Sequence, residues 1–83
     1  MNKILVKLYV PMLETEYDVW IPVNKRIYNV IKLLVRAINE LSGGAYKPLK
    51  MPNLYDKTTA MPYNINLSIK ESTIRNGSEI ILI

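Results

Sequence analysis

An α+β domain, with one mixed sheet packed on a single long helix, is predicted by three features of the sequence. Both ends of the chain alternate apolar and polar residues with period two, the signature of half-buried strands. The stretch from Asn24 to Leu41 instead repeats its apolar residues with the helical period of about 3.6. Pro48, Pro52 and Pro62 then leave no room for a second helix of similar length. The 83 residues are read as one domain, 1–83.

The first strand runs over residues 3–10, where Ile4, Val6, Leu8 and Val10 share one face and Lys3, Leu5, Lys7 and Tyr9 the other. Pro11 ends it, because proline has no N–H to give to a ladder. After a short loop, Pro11 to Thr15, alternation resumes over Glu16–Ile21, with Tyr17, Val19 and Ile21 on one face. Two such strands with so short a connection make an antiparallel hairpin.

Asn24 is the expected helix N-cap. Ile27, Val30, Ile31, Leu34, Ile38 and Leu41 then form one stripe, and Gly43-Gly44 supply the left-handed residue that commonly closes a helix. Beyond them Asn53–Asp56 reads as a short strand and Thr59–Met61 as another. Leu67, Ile69 and Ile74 are expected to pin a long loop to the core, Asn76-Gly77 to turn, and Ser78–Ile83 to form the last strand. This gives a sheet of four to five strands. The first and last strands are the most apolar, which suits the sheet centre. Pairing them in parallel needs a right-handed crossover, which the helix provides. The arrangement is a β-grasp.

The run from Leu67 to Ile83, an apolar residue followed by a tight turn and a last strand, resembles the end of a ubiquitin-like domain, and the hairpin–helix start from Ile4 to Leu41 is similar too. The chain as a whole resembles the small bacterial ubiquitin-like proteins of the YukD/EsaB type. That resemblance implies a stand-alone, non-catalytic, cytoplasmic domain that accompanies a type VII secretion system as an accessory or regulatory component. Conjugation as a modifier is not expected, since the sequence ends in Ile80-Ile81-Leu82-Ile83 rather than in a flexible Gly-Gly tail.

Composition narrows the chemistry. The chain has no cysteine and no histidine, which excludes disulfides, thiolate nucleophiles, structural zinc and imidazole acid–base catalysis. No apolar run reaches the roughly 20 residues of a membrane span, and no signal-peptide organisation is present. No glycine-rich phosphate loop occurs, so neither an enzyme nor a cofactor or small-molecule substrate is expected. Glu14, Glu16 and Asp18 would share a face of an extended segment, but they read as edge charges rather than as a metal site. Asp56-Lys57-Thr58-Thr59 reads as a turn.

Two surfaces remain as candidates for function. With the apolar strand face turned to the helix, Leu5, Tyr9, Trp20, Ile81 and Ile83 point away from it, and nothing in the sequence supplies a second layer. Such a patch suits another protein or a second copy, with Trp20 as anchor. Met12 and Leu13 at the hairpin tip and Leu33 at the edge of the helical stripe are lesser candidates. The alternative is a basic stripe of Lys25, Lys32 and Arg36, which fall within about 40° of one another on the helix. It could meet an acidic protein or nucleic acid, although no aromatic-rich RNA-binding strand accompanies it. Its bland reading is the polar face that every surface helix needs.

Overall fold

Period two becomes strand and period 3.6 becomes helix in the computed structural model, which describes residues 2–83. The elements are β1 (Lys3–Val10), β2 (Thr15–Pro22), α1 (Ile27–Leu41), β3 (Leu54–Asp56) and β4 (Glu79–Leu82), with a 3-10 turn at Pro11–Leu13. They form one four-stranded sheet in the order β2-β1-β4-β3. β1 pairs antiparallel with β2 and parallel with β4, and β3 pairs antiparallel with β4. This is the β-grasp arrangement, with the parallel pair at the centre as its apolar strands require.

The core follows from the alternation. Val6, Leu8, Val10, Val19, Ile21, Ile80 and Leu82 are buried, and Ile27, Val30, Ile31, Leu34 and Ile38 of α1 meet them. Ile4 and Tyr17 pack at the margin. Leu41 departs from the predicted stripe and is 62% exposed. The helix ends at that residue, and Gly43 and Gly44, at φ 65° and 88°, turn the chain back. Tyr46 then closes the core in its place, its carbonyl accepting from Asn39 Nδ2 at 2.8 Å and its N–H donating to Ser42 Oγ at 3.1 Å.

Asn24 is not the N-cap. That position belongs to Arg26, whose side chain makes no capping bond. The Ile27 N–H donates instead to the Leu67 carbonyl at 2.8 Å and the Tyr28 N–H to the Ile65 carbonyl at 3.1 Å. Main chain from a distant loop thus satisfies donors that a side chain usually takes. The loop is returned the same way, Ile69 N–H to Lys25 C=O at 3.1 Å and Lys70 N–H to Val23 C=O at 2.9 Å.

The loop is built to hold that position. Ser68 and Glu71 form a reciprocal pair: the Ser68 N–H donates to Glu71 Oε1 at 2.9 Å, and the Glu71 N–H to Ser68 Oγ at 3.1 Å. Buried Ser72 donates to the Ile69 carbonyl at 2.7 Å and accepts from the Ile74 N–H at 3.1 Å. Ile69 and Ile74 are buried as anchors, whereas Leu67 is only half-buried and serves through its carbonyl. At Gly77, φ is 88° in a turn closed by the Ser78 N–H on the Arg75 carbonyl. Asn76 Oδ1 accepts from the Leu5 N–H at 2.8 Å, extending the contact between β1 and the approach to β4.

Thr59–Met61 is not a strand. Asp56 Oδ1 accepts from the Thr58 and Thr59 N–H groups, Ala60 takes a left-handed φ of 61°, and a single bridge joins Tyr55 to Pro62. The aspartate turn captures the amides that a ladder would have used.

Two outcomes follow from this loop. Ser72→Ala strands the buried Ile74 N–H and is expected to cost about 1–3 kcal/mol in denaturant unfolding. The bonds to Ser68, backbone first, hold the Glu71 carboxyl below its usual range. Its contribution is therefore complete above the ordinary carboxylate range and is lost as pH falls through the lowered native value. Glu71→Gln keeps an acceptor for Ser68, so its acid-side loss of stability should be shallower than that of the parent when Tm is measured against pH.

Candidate functional site

The register orders the outer face into rows. Trp20 lies opposite Leu5. The next row is Asp18, Lys7 and Glu79, and the one after it Glu16, Tyr9, Ile81 and Tyr55. Ile83 follows at the end, bonded through its main chain to Asn53 in both directions. Leu5, Tyr9, Trp20, Ile81 and Ile83 thus share the face turned from the helix, but a charged row divides them. Trp20, 57% exposed, stands with Leu5 at one end, and Ile81 and Ile83 lie toward the other. In the charged row a lysine stands between two carboxylate neighbours, the favourable cross-strand order.

Tyr9 between them is capped. Lys57, delivered by the turn after β3, puts Nζ 5.6 Å from the centre of the Tyr9 ring, 3.7 Å from Glu16 Oε2 and 3.6 Å from Glu79 Oε1. The ion pairs are exposed and individually worth little, but the ammonium group stands over the ring as a cation–π neighbour.

A second apolar feature lies where the hairpin turn, the segment 46–52 and the end of β4 meet. Met12, Pro48, Leu49, Met51, Pro52 and Ile83 line a groove of about 270 Å³, with buried Tyr46 and Leu82 beneath it. Met12, Leu49, Met51 and Ile83 are all exposed, Leu49 completely. Lys50 is the one charged residue lining the groove among the described residues. Met12 was legible as a tip residue, whereas Leu13 turns inward against the core. Leu49 and Met51 were missed. The available signal was Pro48-Leu49-Lys50-Met51-Pro52, in which two prolines deny the intervening apolar residues a place in helix or central strand.

The basic stripe is a physical cluster. Lys25, Lys32 and Arg36 surround a shallow depression of about 250 Å³ together with Asn29 and Leu33, and Lys32 Nζ lies 5.4 Å from the Tyr28 ring centre. Glu14, Glu16 and Asp18 do not share an extended face, because Glu14 has a left-handed φ of 48° in the turn before β2.

A polar depression of about 300 Å³ is lined by Asp56, Thr58, Tyr63, Thr73 and Glu79. Burial raises the Tyr63 hydroxyl above its ordinary value, and the Asp56 charge adds to the shift. Burial alone raises Tyr46. Both phenols are therefore protonated donors near neutral pH rather than bases. Among the described residues, no helix is long and apolar enough to cross a membrane.

No protein-family model matches the sequence, and no curated protein matches it. Solved structures do match in fold. The ubiquitin-like domain of EccD5 from Mycobacterium xenopi superposes with a TM-score of 0.80 at 19% identity, over all of this chain and 94% of that one. The ubiquitin-like domain of the Mycobacterium tuberculosis type VII secretion protein ECCD1 gives 0.76 at 13% identity, over all of this chain and 99% of that one. A chain of an ESX-5 inner membrane complex gives 0.81 at 15% identity; this chain spans 21% of its length. At such identities the likeness is one of fold: ubiquitin-like, an α+β sheet-on-helix domain.

Proposed function

We propose that this chain is a non-catalytic docking module of a bacterial type VII secretion system, working on the cytoplasmic side as an accessory or regulatory component, as the YukD/EsaB resemblance implies. The fold it shares with ubiquitin-like domains of secretion proteins supports the setting. The groove of Met12, Leu49, Met51 and Ile83 carries the docking role. Large apolar side chains grouped at one place on a small surface mark a contact site, and methionine adapts its shape to a partner. Lys50 on the rim selects a partner whose apolar side chain is flanked by a carboxylate. Ile81 continues the surface along β4, and Trp20 with Leu5 forms a separate contact at the opposite end of the sheet face.

A second reading rests on the clustering of Lys25, Lys32 and Arg36. There the partner is an acidic protein surface or a nucleic acid, and the two readings differ in their response to salt. Phosphate contacts weaken steeply as salt rises, whereas apolar docking does not.

A photo-crosslinking residue at Leu49 is expected to capture a component of the secretion machinery in native cells. Leu49→Asp should weaken that purified pair by about tenfold or more while leaving Tm unchanged, because Leu49 is fully exposed. Complex formation should persist from low to high salt. Steep loss with salt, together with sensitivity to Lys32→Glu and none to Leu49→Asp, would assign the role to the helix instead.

A further inference from the structure

The hydrogen-bond parity of the sheet leaves one strand edge open. The Val23 N–H donates to the Asn2 carbonyl, so the even-numbered residues of β1 bond across to β2. The odd-numbered residues bond the other way, the Leu5 carbonyl accepting from Gly77 and the Lys7 N–H donating to Ser78. On β2 the residues facing β1 are therefore Thr15, Tyr17, Val19 and Ile21. The N–H and C=O groups of Glu16, Asp18 and Trp20 point to the outside of the sheet, where β2 is the last strand. Pro22, the next residue in that phase, has no N–H to offer and ends the run.

Both flanks of this edge are shaped. Tyr28 lies with Met51, Pro52 and Ile65, and Asn39 bonds Tyr46, so that side of α1 faces the segment leading into β3. Helical periodicity puts Leu33 and Leu41 on the other side of α1, where both are exposed, Leu33 at the margin of the basic depression. On the outer face the same edge carries Glu16, Asp18 and Trp20. In a chain of net charge +4, Glu14, Glu16 and Asp18 are three of only seven acidic residues.

We propose that the open edge of β2 takes up an extended segment of another protein as an added strand, with basic side chains beside Glu16 and Asp18 and apolar ones on the inner face of the sheet, the face that α1 covers. The unpaired backbone groups specify an extended occupant. The charges specify its sign, and they disfavour a second copy. Antiparallel pairing centred on Asp18 sets Asp18 against Asp18, a one-pair shift sets Glu16 against Asp18, and a shift the other way sets Glu16 against Pro22, which has no N–H to return. Glu16 already lies 3.7 Å from Lys57, and Lys7 stands across from Asp18; both neighbours are exposed and leave the carboxylates free to share a further cation. This edge is separate from the groove of the docking proposal, so the two proposals fail independently.

The test uses the 83-residue chain and capped hexapeptides that alternate lysine or glutamate with valine, followed by amide hydrogen exchange. The Lys–Val peptide is expected to slow exchange at Glu16, Asp18 and Trp20 saturably and to bind about tenfold tighter than the Glu–Val peptide. Methylating the peptide's backbone nitrogens should abolish the protection. The double variant Glu16→Lys/Asp18→Lys, altered only at exposed positions, should prefer the Glu–Val peptide. The proposal is overturned by unchanged exchange at these three amides, by equal binding of the methylated peptide, by a charge preference that survives the reversal, or by a peptide-free dimer protected along β2.

Discussion

The start of α1 is held by main chain that arrives from about forty residues away in sequence, and the rest of the fold depends on that clamp. Ile65 and Leu67 lend their carbonyls to the first turn of the helix, and Val23 and Lys25 lend theirs to Ile69 and Lys70. A helix end left without partners would cost several hydrogen bonds' worth of desolvation. The clamp also fixes the long middle segment. With Ile69 seated, Ser72 bonds both sides of the bend, Ile74 enters the core, and the Asn76-Gly77 turn delivers β4 beside β1. A segment with only three residues of strand is thus ordered mainly by main-chain bonds and two isoleucine anchors.

Elements whose stability is local were legible in the sequence. β1, β2 and α1 each carry their own periodicity, and the apolar phase of Val6, Leu8, Val10, Val19 and Ile21 states which face is inward before any partner is known. What was not legible depends on partners far along the chain. Asn24 has the right chemistry for a cap, but the distant Leu67 carbonyl fills the position that a cap would serve. Leu41 has the right phase for the stripe but lies past the point where Tyr46 folds back. Thr59–Met61 reads as a strand, yet its amides are taken within the turn, Thr59 by Asp56 Oδ1, Ala60 by the Asp56 carbonyl and Met61 by Thr59 Oγ1.

The candidate site divides in the same way. That Leu5, Tyr9, Trp20, Ile81 and Ile83 share a face follows from alternation alone. That they do not share a patch follows from register, which aligns Lys7 with both Asp18 and Glu79, and from the reach of Lys57 over Tyr9. Neither relation is local. The groove at Met12, Leu49 and Met51 required three separate segments to be placed together, and only its proline-bracketed part leaves a trace in the sequence.

One helix covers one face of a sheet, so a β-grasp of this size leaves the other face and the strand edges to be managed by loops and side chains. Here the β3 edge is short and bridged by Pro62, which limits what can pair with it. The eight-residue β2 edge has no such cover and carries acid instead. Acid there disfavours pairing with another β2, and the same two carboxylates give the edge a sign opposite to that of the chain as a whole. A basic helix face and an acidic strand edge on one small domain form a dipolar surface. Under the proposals above, such a surface would orient an approaching charged partner before contact, within the Debye length of about 8 Å at physiological salt. The apolar groove, with Lys50 as its one charged lining residue among those described, would add less to that steering. If it docks a partner as proposed, its contribution would come after encounter, through the area removed from water, and would set how long a complex lasts more than how fast it forms.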